Sequence, residues 1–209
     1  MNKEKSNEIL GILKTIIENP KCELNYNNIF ELLIAVILSA QTTDKRVNEV
    51  TAILFDRYKT IKDLGEASEI DVEEIIRPLG LSRSKSKNII SVANSIYYDF
   101  NSNVPSTIEE LTTLKGVGRK TASVVLVEGF KIPAFPVDTH LIRMANRLGY
   151  SKSSDPIVVE KAYKKYIDKN EWGISHHLFL LFGRYYCKAI GPKCDNCKLK
   201  NYCKKELRN

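Results

Sequence analysis

The amino-acid sequence predicts an all-α protein, and three observations lead to that fold class. Apolar residues recur with the spacing of amphipathic helices along most of the 209 residues. No credible run alternates between apolar and polar residues, as a half-buried strand would. Residues typical of helix N-termini stand before several of the apolar stripes. The sequence therefore predicts helices joined by short turns, without internal repeats or a low-complexity linker.

Four helical stripes are predicted in the first half of the chain. The first ends at Pro20, and the second follows Thr43 and Asp44, which are candidate caps. The third leads to Gly80, and the fourth is longer and ends near Asn101. The stripes consist of Ile9, Ile12, Leu13, Ile16 and Ile17; Val47, Val50, Ile53 and Leu54; Val72, Ile75, Ile76 and Leu79; and Ile89, Ile90, Ala93, Ile96 and Tyr97.

A short helix and four longer ones are predicted in the second half. The short helix begins with a capping box, formed either by Ser106 with Glu109 or by Thr107 with Glu110. An apolar helix follows the glycine-rich stretch after it. The remaining helices are expected over residues 139–148, 156–168 and 174–187.

Composition and charge limit the function classes. Thirty-two Lys and Arg against 25 Asp and Glu leave a formal charge of +7, which suits a polyanion or an anionic membrane surface. The charged N-terminus lacks an apolar signal region. The most apolar run, residues 29–40, contains Glu31 and is shorter than the roughly 20 residues that span a bilayer. We therefore expect a soluble, cytoplasmic protein without membrane association.

A glycine-rich turn, LKGVGRK, joins two predicted helices. Gly116 and Gly118 flank Val117, and Arg119 and Lys120 follow directly. Glycine allows another backbone or a ligand to come close, and the first N–H groups of a helix attract anions. The spacing fits neither a dinucleotide fingerprint nor a P-loop. Both a phosphate-binding turn and a plain connection between helices remain open on these residues alone.

Four of the five cysteines fall in the last 23 residues. Cys187, Cys194, Cys197 and Cys203 are separated by six, two and five residues. Disulfides are the weaker interpretation for a chain without a secretion signal, so the spacing favours a metal centre. Only Cys194 and Cys197 form the short pair typical of structural zinc. A cubane iron-sulfur cluster with four cysteine ligands fits better, with zinc as the alternative.

Three motifs together resemble the endonuclease III family of iron-sulfur DNA glycosylases and abasic-site lyases. They are the glycine turn with Lys120, the FPVDTH stretch that contains Asp138, and the C-x6-C-x2-C-x5-C terminus. The resemblance covers nearly the whole chain. One departure is Lys115, which stands where relatives commonly have proline; it should loosen the turn slightly and add a phosphate contact.

The resemblance implies two helical domains flanking a DNA-binding cleft. A six-helix domain over residues 22–132 would end in a helix-hairpin-helix motif. Residues 1–21 plus 133–209 would form a helical domain that carries the cluster loop. Residues Cys187, Cys194, Cys197 and Cys203 would bind a 4Fe-4S cluster.

The catalytic residues implied by the resemblance are Lys120 and Asp138. A neutral Lys120 amine would attack the anomeric carbon and form a Schiff base. Asp138 would cap its helix, stabilise the sugar cation and help to deprotonate Lys120 or C2′. A helix dipole supplies only about 0.3 to 1 kcal/mol toward a neutral amine, so nonpolar surroundings must supply the rest. We therefore predict that Lys120 is partly buried.

An enzyme acting on a base inside a duplex must flip the nucleotide out and fill the gap. The resemblance implies that Gln41 fills the gap and that Leu81 wedges the opposite strand. The simpler interpretations are a polar residue at a helix end and a core leucine. The predicted DNA contacts are Gln41, Leu81, Gly116, Val117, Gly118, Arg119, His140 and Arg143.

The implied function is a bifunctional DNA glycosylase and abasic-site lyase of base excision repair. It would act as a monomer on double-stranded DNA with oxidised or ring-saturated pyrimidines or abasic sites, at the nucleoid in a prokaryote. Two alternatives stay open: a nonenzymatic iron-sulfur DNA-binding or redox-sensing protein, and an adenine-mismatch glycosylase, whose catalytic glutamate would fall at Val36. Nothing in the sequence ranks one lesion above another.

Overall fold

The computed structural model describes residues 1–204, which contain helices and no strand. The predicted all-α fold class is therefore confirmed. Two compact units are present: residues 23–132, the central unit, and residues 1–22 with the chain from residue 133 onward, the terminal unit. Cys22 belongs to the terminal unit, although the sequence placed it in the six-helix domain. Residues 205–209 of the predicted terminal domain lie outside the described residues.

The central unit is built around one very apolar helix, α2. All seven of its residues from Leu32 to Leu38 are buried, and α6 and α8 pack against it. None of the helices in the described chain is long and apolar enough to cross a membrane. The helices are α2 (Ile29–Leu38), α3 (Asp44–Arg57), α4 (Ile61–Gly65), α5 (Glu69–Ile76) with a 3-10 turn (Arg77–Leu79), α6 (Ser82–Tyr98), α7 (Ile108–Leu111) and α8 (Arg119–Glu128).

The terminal unit packs its helices around an aromatic core. The ring of Tyr163 lies 4.8 Å from that of Phe135, 4.7 Å from that of Tyr150 and 4.8 Å from that of Phe179. The Tyr163 hydroxyl donates to the carbonyl oxygen of Leu141 at 3.0 Å, so this buried polar group is satisfied. The helices are α1 (Lys3–Lys14), α9 (Thr139–Leu148), α10 (Pro156–Tyr166), a 3-10 turn (Lys169–Glu171) and α11 (Trp172–Tyr185).

Helix ends differ from the predicted ones for local reasons. Helix α1 stops at Lys14 because the next residues tighten into i→i+3 hydrogen bonds, so Pro20 does not end it. Thr107, rather than Ser106, caps α7 by accepting the Glu110 N–H at 3.2 Å. Helix α4 was not predicted, since five residues are too few to show an apolar stripe.

Candidate functional site

The turn between α7 and α8 exposes backbone at the N-terminus of α8. Gly116 has φ +79°, and a Cβ there would lie 2.7 Å from Asn88 Nδ2. Gly118 caps α8 with φ −92° and without a side-chain hydrogen bond, and a Cβ there would have no neighbour within 4 Å. Val117 is buried, and its N–H donates to the Leu114 carbonyl at 3.1 Å. An anion can therefore approach the first turn of α8 along bare backbone.

Gly116 and Gly118 differ in whether their backbone conformation tolerates a side chain, and substitution by alanine distinguishes them. Gly116→Ala forces an L side chain into the left-handed region, and we expect a loss of about 1–2 kcal/mol in unfolding free energy. Gly118→Ala adopts its φ without strain, and we expect less than about 1 kcal/mol. Thermal melting measures both; for a chain of this size, Gly116→Ala should lower Tm by about 2–8 °C. Equal melting temperatures for the two variants would contradict this account of the turn.

Lys120 lies in the first turn of α8, and its side chain is exposed. The prediction that it is partly buried is wrong for the protein without DNA. The apolar face of α8 turns Ala122, Val125 and Leu126 into the core of the unit, whereas Lys120 points away from that face. The nonpolar surroundings that a neutral amine needs are therefore not supplied by the residues packed around α8.

Gln41 and Leu81 share an unusual combination of exposure and backbone conformation. Gln41 is exposed with φ +58°, and Leu81 is 59% exposed with φ +51°. A left-handed residue that is not glycine costs about 1–2 kcal/mol and persists only where the surrounding structure holds it. The interpretation of Leu81 as a core leucine is wrong. Both side chains are available to a ligand of the central unit.

Asp138 is the N-cap of α9 in the terminal unit. Its carboxylate accepts the Leu141 N–H at 3.0 Å, which confirms the predicted cap. The FPVDTH stretch that contains Asp138 is anchored by a buried histidine, since His176 Nδ1 lies 2.9 Å from the Pro136 carbonyl oxygen. His140, one turn into α9, has its Nδ1 3.1 Å from the guanidinium of Arg143.

Two arginines of α9 bind the C-terminal end of α11 and the first cysteine. Arg143 donates to the carbonyl oxygens of Cys187 at 3.0 Å and Gly183 at 2.7 Å. Arg147 is buried and donates to Cys187 Sγ at 3.1 Å and to the Lys188 carbonyl at 2.8 Å. Arg147 was not among the predicted site residues, although its spacing of four from Arg143 puts both on one helix face.

The four clustered cysteines line a single cavity. Together with Arg147, Phe182 and Tyr186 they line a partly open cavity of about 30 Å³. Within residues 1–204, no three His, Cys, Asp or Glu side chains are grouped to hold a metal ion. Burial raises the pKa of the Cys197 thiol, so its thiolate needs a nearby cation. Four cysteine thiols on one lining are a donor set that either a 4Fe-4S cluster or a structural zinc ion can take.

A family model, curated sequences and solved structures all match this chain. The model of the HhH-GPD superfamily base excision DNA repair proteins matches residues 34–169. The chain is 43% identical over 197 residues to an endonuclease III of Rickettsia felis, covering 94% of this chain and 92% of that one. It is 43% identical over 185 residues to that of Bacillus subtilis, covering 88% and 84%. A solved structure of a trapped endonuclease III-DNA covalent intermediate matches with a TM-score of 0.94 and 42% identity, covering 100% and 98%.

Proposed function

Since this chain belongs to the endonuclease III family of HhH-GPD base excision DNA repair proteins, we propose that it removes oxidised or ring-saturated pyrimidines from DNA. It is a DNA glycosylase and abasic-site lyase. The single observation that carries the choice of residues is the N-terminus of α8. There a turn with exposed backbone directly precedes Arg119 and Lys120, which supports a phosphate-binding surface beside this lysine.

The glycine turn grips the DNA backbone. The backbone at Gly116 and Gly118 and the first N–H groups of α8 hold a phosphate, and Arg119 adds positive charge. Val117 contributes through its buried side chain, which fixes the turn. His140 and Arg143 are the predicted DNA contacts of the terminal unit, although the guanidinium of Arg143 already bonds two backbone carbonyls.

Lys120 is the nucleophile. Its neutral amine attacks C1′ of the damaged nucleotide, the bond from C1′ to the base breaks, and the base leaves with the bonding electrons and takes up a proton. Loss of the ring oxygen bond gives an imine between Lys120 and C1′. Removal of a C2′ proton then expels the 3′ phosphate by β-elimination, and water releases the lysine. Because Lys120 is exposed in the free protein, the bound DNA must exclude water from it.

Asp138 acts on the same nucleotide from the terminal unit. One carboxylate oxygen caps α9, which fixes the orientation of the group. The carboxylate stabilises positive charge that develops on the sugar, and it accepts a proton from Lys120 or from C2′. A carboxylate that is already oriented does so without reorganisation during the reaction.

Gln41 and Leu81 keep the flipped state open. Gln41 replaces the extruded nucleotide, and Leu81 separates bases on the opposite strand. Their exposure and left-handed backbone support this assignment, because strained, outward-facing residues cluster where ligands are gripped.

Cys187, Cys194, Cys197 and Cys203 would hold a 4Fe-4S cluster in the cavity that they line. Such a cluster would tie the loop together and offset part of the negative charge of the four thiolates. Arg147 donates a hydrogen bond to Cys187 Sγ, and this contact would orient the cysteine as a cluster ligand. The bond-breaking steps fall to Lys120 and Asp138. We further propose that the enzyme works as a monomer in the cytoplasm, on nucleoid DNA, where its basic charge favours binding.

The rival functions make different demands on the chain. An adenine-mismatch glycosylase would need a carboxylate at position 36, where Val36 is buried on α2 and 5% exposed. A nonenzymatic DNA-binding protein would not need an amine at position 120. In a DNA-binding protein Lys120 would serve only as a phosphate contact, so covalent trapping separates that alternative from the proposed function.

Borohydride trapping tests the proposed function. The protein is incubated with duplexes that each carry one lesion: an oxidised thymine, a ring-saturated thymine, an abasic site, or adenine opposite 8-oxoguanine. We expect covalent adducts with the first three and none with the mismatch, since only an imine is reduced to a stable amine. Absence of an adduct with all three would contradict the proposed function, and release of adenine from the mismatch without any adduct would favour the adenine-mismatch branch.

A further inference from the structure

Helix α6 contains a buried lysine near its N-terminus. Lys85 is 4% exposed, and its Nζ donates to the carbonyl oxygen of Leu79 at 3.0 Å. Burial lowers the pKa of Lys85, because removing an ammonium group from water disfavours its charged form. An apolar side chain would fill this space without that cost.

The carbonyl that Lys85 binds belongs to the loop that carries Leu81. Gly80 has φ +68° and Leu81 has φ +51°, so two successive residues are in the left-handed range. The backbone N–H of Lys85 also donates to the Leu81 carbonyl at 2.9 Å. Lys85 therefore bonds the loop on both sides of Gly80. Leu79 is held inward at 3% exposure, while Leu81 is held outward at 59%.

We propose that Lys85 is a positioning residue that holds Leu81 in its outward conformation before DNA arrives. The inference rests on the proposed function, in which Leu81 wedges the strand opposite the lesion. A wedge that is already ordered loses less conformational entropy when it enters the base stack. Without the bond to Leu79, the strained loop relaxes and Leu81 is no longer presented. Nucleotide flipping then slows, whereas chemistry on a nucleotide that is already unstacked continues.

Two substrates separate positioning of the wedge from the chemistry. The first is a duplex with one oxidised thymine and a neighbouring 2-aminopurine, whose fluorescence rises as the stack opens. The second is a single-stranded oligonucleotide of the same sequence with an abasic site, which has no opposite strand to wedge. Fluorescence rise and borohydride trapping are measured on the duplex, and trapping alone on the single strand.

Lys85→Met keeps the length of the side chain and removes its charge and its donors. We expect it to slow both signals on the duplex by about 10- to 100-fold and to leave single-strand trapping unchanged. The matched control is Lys62→Met on α4, where the lysine is exposed and lies 3.7 Å from Glu66; it should leave both substrates unaffected. Equal losses on both substrates, or no loss on the duplex, would overturn the proposal.

The Leu81→Ala variant shows whether Lys85 acts through the Leu81 wedge or independently of it. If Lys85 acts through Leu81, Lys85→Met combined with Leu81→Ala is no slower on the duplex than Leu81→Ala alone. If the fold-losses of the two single variants on the duplex multiply in the double variant, the proposal is overturned. Should Lys85→Met fail to fold by thermal melting, Lys85→Arg keeps a buried cation with altered reach and is expected to show the same duplex-selective loss. Inactivity of the unaltered protein on both substrates would refute the proposed function itself.

Discussion

Lys120→Ala is expected to abolish covalent trapping on a duplex with an oxidised thymine while leaving DNA binding nearly intact. Alanine has no amine, so no imine can form, and base release should fall by about 10³-fold or more. The phosphate-binding turn depends on backbone at Gly116 and Gly118 rather than on this side chain. Loss of one positive charge should weaken binding by about tenfold or less. Trapping and fluorescence-polarisation binding are measured on the same duplex.

Two further variants make the result specific to the nucleophile. Lys120→Arg keeps the positive charge but cannot supply a neutral primary amine, so it should bind normally and fail to trap. Lys115→Ala removes another exposed lysine of the same turn and should still trap. Adduct formation by Lys120→Ala would show that a different group attacks the sugar. A collapse of binding would show that Lys120 serves mainly to hold phosphate.

Features that depend on local chain physics were predictable from the sequence. The extent of α9 matched its prediction, residues 139–148, because Asp138 caps it and Gly149 follows its last residue. The grouping of four cysteines around one cavity also followed from their spacing. Nearby residues determine the extent of α9, whereas Arg147 of α9 and Phe182 of α11 complete the lining of the cysteine cavity, which spacing alone does not predict.

Features that depend on tertiary packing were missed or predicted wrongly. The exposure of Lys120 depends on which face of α8 packs against the core. The need for a neutral amine, from which its burial was predicted, does not determine that face. In the sequence Lys85 is one of three cations between residues 83 and 87. In the fold, the 3-10 turn before α6 brings the Leu79 carbonyl to its Nζ. Arg147 acts through a contact with Cys187, 40 residues away. Burial of a charge becomes visible only once the partner that compensates it is known.

Cys197→Ser is expected to eliminate the iron-sulfur cluster and destabilise the terminal unit. Cys197 lies between Cys194 and Cys203 in the loop and lines the same cavity as the other three proposed ligands. Binding of a metal centre contributes directly to folding, so we expect a loss of about 3 kcal/mol or more in unfolding free energy. Visible absorbance, iron and sulfide content, and thermal melting measure these changes. Cys22→Ser, which alters a cysteine outside the loop, should keep the cluster and the unaltered melting temperature.

The effect should spread along the contacts that connect the loop to the rest of the unit. The Tyr202 hydroxyl donates to Glu8 of α1 at 2.9 Å, and the Lys204 N–H donates to the Arg147 carbonyl at 2.8 Å. Without the cluster these contacts lose the framework that positions them, so proteolysis should increase after Lys188 and near α1 while residues 23–132 stay protected. Purified protein containing one zinc ion and no iron or sulfide would contradict the cluster and restore the zinc alternative. Uniform proteolysis across both units would contradict a role confined to the terminal unit.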